Sequence, residues 1–229
     1  MARILSIETS TLSCSVSLSE NGLETSRAEY QSENYSHAEK LSPLIHECIA
    51  TSSISLNDLD AITVCKGPGS YTGLRIGVST AKGLCFGLKI PLIAMDSTEV
   101  LCQMAWQKYP EATNCAPMID ARRMEVYSAN FSRELGRQSE CEAIIVDEDS
   151  FSELHGQKVI FLGDAAAKCE EVLKRPNWTF DQCFPSASAM AAEAERRYQN
   201  KEFEDVAYFE PYYLKDFIAG KPKDLLRQS

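Results

Sequence analysis

The chain has 229 residues, 44% of them hydrophobic, which suffices for one large domain or two small lobes around a buried core. Lys and Arg total 23 against 33 Asp and Glu, a net charge of −10 that disfavours autonomous nucleic-acid binding, because a phosphate backbone is held by basic side chains. No apolar run reaches the roughly 18 residues a membrane span needs, and nine scattered cysteines without CxxC pairs point to reduced thiols and a cytoplasmic location.

The first strand starts at once, at "RILSIET", with no basic and apolar leader before it. "SCSVSLSENG" alternates and ends in Asn21-Gly22, a hairpin signal, so "LETSRAEYQS" returns as a third strand. In "YSHAEKLSPLIHECIATS", Ser36 with Glu39 fits a capping box, and Leu41, Leu44, Ile45, Cys48 and Ile49 recur at helical spacing. Pro43 inside that pattern is expected to kink the helix or to start a second one capped by Ser42. "DAITVC" reads as a buried strand, 74–88 as a helix, "IPLIAMD" as a strand, and Ser97 with "TEVLCQMAWQKY" as a further helix.

The second half repeats the plan. "APMIDA", "EVYSANFS", "CEAIIVDED" and "KVIFLGD" read as strands, and "AAAKCEEVLK" and "ASAMAAEAERRYQ" as helices. Ile7-Glu8 and Ile119-Asp120 each end an apolar strand in an acid, and Val16 and Val126 follow at similar distances, a sign of a duplicated lobe. The final stretch, from Ala207, is aromatic, then basic and polar, with loose last residues expected.

A glycine turn, "KGPGSYTG", joins the strand at 60–65 to the helix at 74–88. A P-loop needs two glycines separated by four residues and then Lys-Ser/Thr; here five residues separate Gly67 from Gly73, and Leu74-Arg75 follow. Gly67, Gly69 and Gly73 are one residue too long for a dinucleotide fingerprint. The turn therefore reads mainly as a place needing positive φ, with Pro68 fixing its shape. On the helix, Leu74, Val78, Ala81, Cys85 and Leu88 form a core stripe, while Gly73, Gly77, Thr80, Gly83 and Gly87 form an arc of small residues. Interior glycines cost about 0.5–1 kcal/mol each relative to alanine, so close approach of a neighbour is expected to offset them. That neighbour is either another part of this chain or a partner subunit.

The stretches "ILSIETSTLSCSVSL", "HAEKLSPLI", "KGPGSYTGLRIGVSTAKGL", "IDARRMEVYSANF" and "EPYYLKDFIA" span nearly the whole chain. In them the chain resembles the TsaB (YeaZ) family of the bacterial tRNA threonylcarbamoyladenosine pathway. The resemblance implies an α/β actin-like ATPase (ribonuclease H-like) fold of two related α/β lobes. These are expected at 1–100, carrying partner-binding helices, and 101–229, with the tail packing back on the first lobe. It also implies a non-catalytic scaffold that binds and activates the catalytic subunit TsaD together with the ATPase TsaE, and that forms a homodimer through its first-lobe helices when alone. Threonylcarbamoyl adenylate, made by a separate enzyme, is the donor. The chain is expected to meet tRNA only through the complex, with no cofactor of its own and ATP or ADP at most in the assembly.

TsaD-like relatives hold a metal with HxxxH; here the stretch is His37-Ala38-Glu39-Lys40-Leu41, and leucine cannot ligate. His46 and His155 have no second ligand at useful spacing, so no metal is expected. Glu8, Thr9 and Ser10 are the candidate nucleotide contacts, although the hydroxyls serve equally well as turn or cap acceptors. Asp164, before a helix, reads as its N-cap. No GxSxG elbow appears, so peptidase chemistry is not expected and no catalytic residue is assigned. The expected partner contacts are His37, Leu41, Leu44, Thr72, Arg75, Gly77 and Val78, with Val78 facing either the partner or the core. The rival reading is a free-standing actin-fold phosphotransferase or ATP-binding protein built on Glu8, Asp120 and the glycine turn; a stand-alone tRNA-binding module is disfavoured by the charge.

Overall fold

The computed structural model describes residues 2–31 and 36–215; the expected loose tail beyond Lys215 lies outside them. Strand β1 (Arg3–Glu8) pairs antiparallel with β2 (Ser13–Glu20), and β2 with β3 (Leu23–Gln31). Asn21 and Gly22 both take positive φ, as the hairpin signal requires. Helix α1 (His37–Ala50) follows, then β4 (Ala61–Gly67), α2 (Tyr71–Leu88), β5 (Leu92–Asp96) and α3 (Ser97–Lys108). Strand β4 lies parallel to β1, and β5 parallel to β4.

The second half supplies β6 (Asn114–Pro117), β7 (Ile119–Asp120), β8 (Glu125–Ser128), β9 (Phe131–Ser132), β10 (Gly136–Arg137) and β11 (Glu142–Ile145). Then come β12 (Val159–Gly163), α4 (Ala166–Leu173), β13 (Trp178–Gln182) and α5 (Ala191–Asn200). Among the described residues the two larger sheets run β3-β2-β1-β4-β5 and β10-β9-β6-β12-β13. Both have the same plan: two antiparallel neighbours on one side of a central strand and two parallel ones on the other. The lobes are thus related, as the Ile7-Glu8 and Ile119-Asp120 pair suggests. In the second lobe the meander is interrupted, and its far pieces make a separate sheet, β11-β8-β7.

Two local expectations are corrected. Ser36 makes no side-chain cap bond; Glu39 N–H donates instead to the Ser36 carbonyl at 3.0 Å. Helix α1 runs through Pro43 as one element, because Pro43 lies on its solvent face and water can serve the carbonyl left without an N–H. Helix α3 has Asp96 at its N-cap position, and the Asp96 N–H donates to Glu99 Oε2 at 3.0 Å.

Alternation along β1 sends Leu5 and Ile7 to one face, where they pack with Val16, Leu41, Leu44, Ile45 and Val78 beneath α1 and α2. Ile4 faces the other way and meets Ala194 of α5, while Cys65 joins Met190 and Val100 there. The first-lobe sheet is therefore covered on its second face by elements from late in the chain. Phe161 centres the second-lobe core, with rings of Trp178, Phe180 and Phe151 at 4.8, 5.0 and 5.2 Å. All nine cysteines are free thiols, eight of them buried. Among the described residues no helix is long and apolar enough to cross a membrane.

Candidate functional site

The glycine turn is a socket for the chain's own backbone. Gly67 ends β4 at φ +117, and a Cβ there would stand 2.7 Å from the Tyr212 carbonyl oxygen. A Cβ on Gly69 would collide with the Ser10 carbonyl, one on Gly73 with the Thr9 carbonyl, and one on Gly77 with the Thr9 hydroxyl. Hydrogen bonds fasten the same contact: Ser70 N–H donates to Ser10 O at 2.7 Å, and Thr9 Oγ1 donates to Gly73 O at 2.8 Å. Ser70 caps α2 by accepting from Gly73 N–H. The residues between β1 and β2 thus pack directly onto the turn.

Glu8, Thr9 and Ser10 lie inside this joint. Glu8 is 0% exposed, and its Oε1 accepts the Ser10 N–H at 2.5 Å. Burial pushes the Glu8 carboxyl above its ordinary range, with partial offset from the neighbouring Cys65 thiol and Ser10. Cys65 in turn lies 3.0 Å from the Ser97 hydroxyl.

The seven expected partner contacts divide. Leu41, Leu44 and Val78 pack in the chain's own core, and Gly77 sits under Thr9. His37 is buried too; its Nε2 donates to the Thr11 carbonyl at 2.7 Å, and burial lowers its pKa. These five serve the interior, since helical spacing alone does not say whether a stripe meets its own sheet or a partner. Thr72 and Arg75 face solvent. Arg75 Nε donates to Tyr213 Oη at 3.2 Å, and its guanidinium lies 4.3 Å from the Tyr71 ring centroid. A cavity of about 120 Å³ opens between the starts of α1 and α2, lined by His37, Thr72, Gly73 and Ile76.

The arc of small residues is also split. Gly73 and Gly77 are filled from within, whereas a Cβ on Gly83 or Gly87 would meet nothing within 4 Å. Between those two open glycines stands Phe86, 83% exposed. Sequence reasoning passed over Phe86 because it lies on neither stripe of the helical wheel; its signal is an aromatic flanked by residues too small to cover it.

In the second lobe Asp164 does not cap α4. The N-cap is Ala165, and Asp164 Oδ1 instead accepts Asp120 N–H at 2.8 Å. Lys168 binds the Asp120 carboxylate and the carbonyls of Arg123 and Glu125, at 2.8 and 2.9 Å. Burial first, and the Asp120 charge after it, push the Asp164 carboxyl up to about 6. The folded chain then keeps a proton that the unfolded chain releases, so this contribution is complete below about pH 4 and is lost as pH rises through about 6. Asp164→Asn retains an acceptor for Asp120 N–H and removes the titration. Its stability relative to the parent is expected to climb by at most about 3 kcal/mol between pH 4 and 7. Thermal melts across that range test this; a constant offset would place the titration elsewhere. Among the described residues no group of three or more His, Cys, Asp or Glu is placed to hold a metal.

The family described as "TsaD: tRNA N6-adenosine threonylcarbamoyltransferase" matches residues 31–222. The tRNA threonylcarbamoyladenosine biosynthesis protein TsaB of Escherichia coli (strain K12) is 31% identical over 228 residues, covering 96% of this chain and 97% of that protein. The chain belongs to the TsaB family. The Bacillus subtilis (strain 168) member is 30% identical over 222 residues, covering 93% of each. A solved structure of YeaZ from Pseudomonas aeruginosa superposes with a TM-score of 0.79 at 25% identity, covering 93% of this chain and all of that one. The fold is accordingly the actin-like ATPase fold with two related lobes, and the family places the chain in tRNA threonylcarbamoyladenosine biosynthesis.

Proposed function

We propose that this chain is the non-catalytic scaffold subunit of a cytoplasmic threonylcarbamoyladenosine-modifying complex, and that it binds and activates a TsaD-type catalytic subunit together with the ATPase TsaE. One observation carries the reading. The glycine turn seats Thr9 and Ser10 of the same chain, and the strand-end acid Glu8 is buried against the Ser10 N–H, so both features serve internal packing. Leu41 reinforces it, since the position of the second metal-binding histidine is a core side chain. No cofactor belongs to this chain; ATP or ADP enters with the assembly, and tRNA is met through the complex. Alone, the chain pairs with itself through the same helices.

The docking surface is the solvent side of α1 and α2, centred on Thr72, Arg75 and the Phe86 ridge. A protruding aromatic between open glycines suits a pocket on the opposing subunit, and aromatic anchors with arginine dominate such interfaces. Phe86→Asp is expected to weaken binding to the TsaD-type partner by about 100-fold while the melting temperature of the isolated chain stays within about 2 °C. Titration calorimetry with the purified partner measures the affinity. Unchanged affinity removes this surface, and tight ATP–magnesium binding by the isolated chain favours a phosphotransferase instead.

A further inference from the structure

Beyond α5 the chain turns back over the first lobe. Glu204 N–H donates to Leu92 O at 2.9 Å, which covers the edge of β5. Lys82 Nζ donates to the carbonyls of Ala207 and Phe209 at 3.2 and 2.7 Å. Tyr212 N–H donates to Lys66 O at 2.8 Å, with its own carbonyl seated against Gly67. Tyr213 lies tilted against Tyr71, centroids 4.8 Å apart and planes 35° from parallel, and accepts from Arg75. Two residues later the segment is in the other lobe: Lys215 pairs with Glu125 of β8, and Tyr212 and Leu214 pack among Ile119, Phe131 and Leu162. Beside it, Arg137 of β10 reaches across to Asp96 at the end of β5.

We propose that residues 209–215 are a clasp between the lobes, whose catch is the Arg75–Tyr213–Tyr71 cluster on the exposed face of α2. A docking protein that offers Arg75 a carboxylate releases the catch, because a carboxylate carries the opposite charge and accepts two parallel N–H bonds from the guanidinium, whereas the neutral Tyr213 hydroxyl accepts one. Engagement of that surface thereby changes how firmly the lobes are held. The clasp ties a surface contact to interlobe geometry through three anchors on separate elements: α2, the end of β4, and β8. The docking protein's identity rests on the scaffold reading; the clasp itself does not.

Hydrogen exchange read by mass spectrometry on the full chain alone tests it. Arg75→Ala, an exposed substitution, is expected to speed exchange in 207–215 about tenfold, and exchange in 131–138, across the Arg137–Asp96 contact, in parallel. Lys215→Ala, at the far anchor, is expected to give the same pair of changes. Faster exchange in 207–215 with 131–138 untouched in both variants would make the segment a surface appendage and overturn the clasp. So would no change in either region. Partner binding plays no part in this measurement, so a failed clasp and a failed scaffold reading give different results.

Discussion

Gly73→Ala is expected to destabilise the chain by about 3 kcal/mol, whereas Gly83→Ala, ten residues along the same helix, is expected to stabilise it by about 0.5–1 kcal/mol. The two glycines share an arc on the helical wheel and differ only in what they face. A methyl at 73 is driven into the Thr9 carbonyl and stands 3.0 Å from His37 Cδ2. The Thr9 carbonyl is backbone, and it sits between β1 and β2 in a joint already fastened by Thr9–Gly73 and Ser70–Ser10 bonds. It therefore cannot yield without breaking those bonds. A methyl at 83 enters open space, so only the helix-propensity gain remains. In melts this corresponds to a fall of about 6–12 °C against a rise of about 2 °C for a chain of this size. Equal effects at both sites would mean the arc faces one environment, contrary to the packing. A bulky residue at 77 is expected to damage the fold on the same grounds, because that position abuts the Thr9 hydroxyl.

Arg137→Ala is expected to cost about 2 kcal/mol, and Arg137→Lys to recover only part of it. Asp96 is 7% exposed and is met by Arg137 from the second lobe and by Lys66 Nζ at 3.2 Å from the first. Removing Arg137 leaves a nearly buried carboxylate with one cation and the N-terminus of α3, which softens the penalty below that of a fully orphaned charge. The same guanidinium lies 3.6 Å from Glu99 and over the Phe131 ring, contacts that a lysine ammonium reproduces poorly. Urea titration at constant m measures the loss, and a double-mutant cycle with Asp96→Asn isolates the pair. A change below about 0.5 kcal/mol would show that the contact holds nothing.

Local signals in the sequence were reliable where the cause is local. The Asn21-Gly22 hairpin needs only two residues with positive φ, and the core stripe of α2 needs only the helical period. The repeat of the lobe plan was legible in two strand-end acids, of which Glu8 ends the central strand β1 and Asp120 lies just past the central strand β6, in the edge strand β7 of the small sheet. What escaped the reading depends on distant partners. The small face of α2 invited a neighbouring helix, yet its inner half meets Thr9, 64 residues earlier than Gly73 in the chain. Asp164 and Ser36 carry the right residue types for caps, and each lacks the cap bond; Asp164 is drawn instead to the Asp120 amide on another strand. The exposed Phe86 has no periodic signature, and the resemblance led to the expectation that the tail packs back on the first lobe without indicating its contacts with α2.

The seat at Gly67 is filled late as the ribosome delivers this chain. Its occupant is Tyr212, the edge of β5 is closed by Glu204, and α5 covers the sheet's second face, so the first lobe's packing depends on residues synthesised long after its last strand. An emerging N-terminal half is left with an uncovered sheet face and an unpaired strand edge until α5 and residues 204–212 have been made. A fragment ending near residue 100 is accordingly a poor stand-alone unit, and the chain matures as one piece.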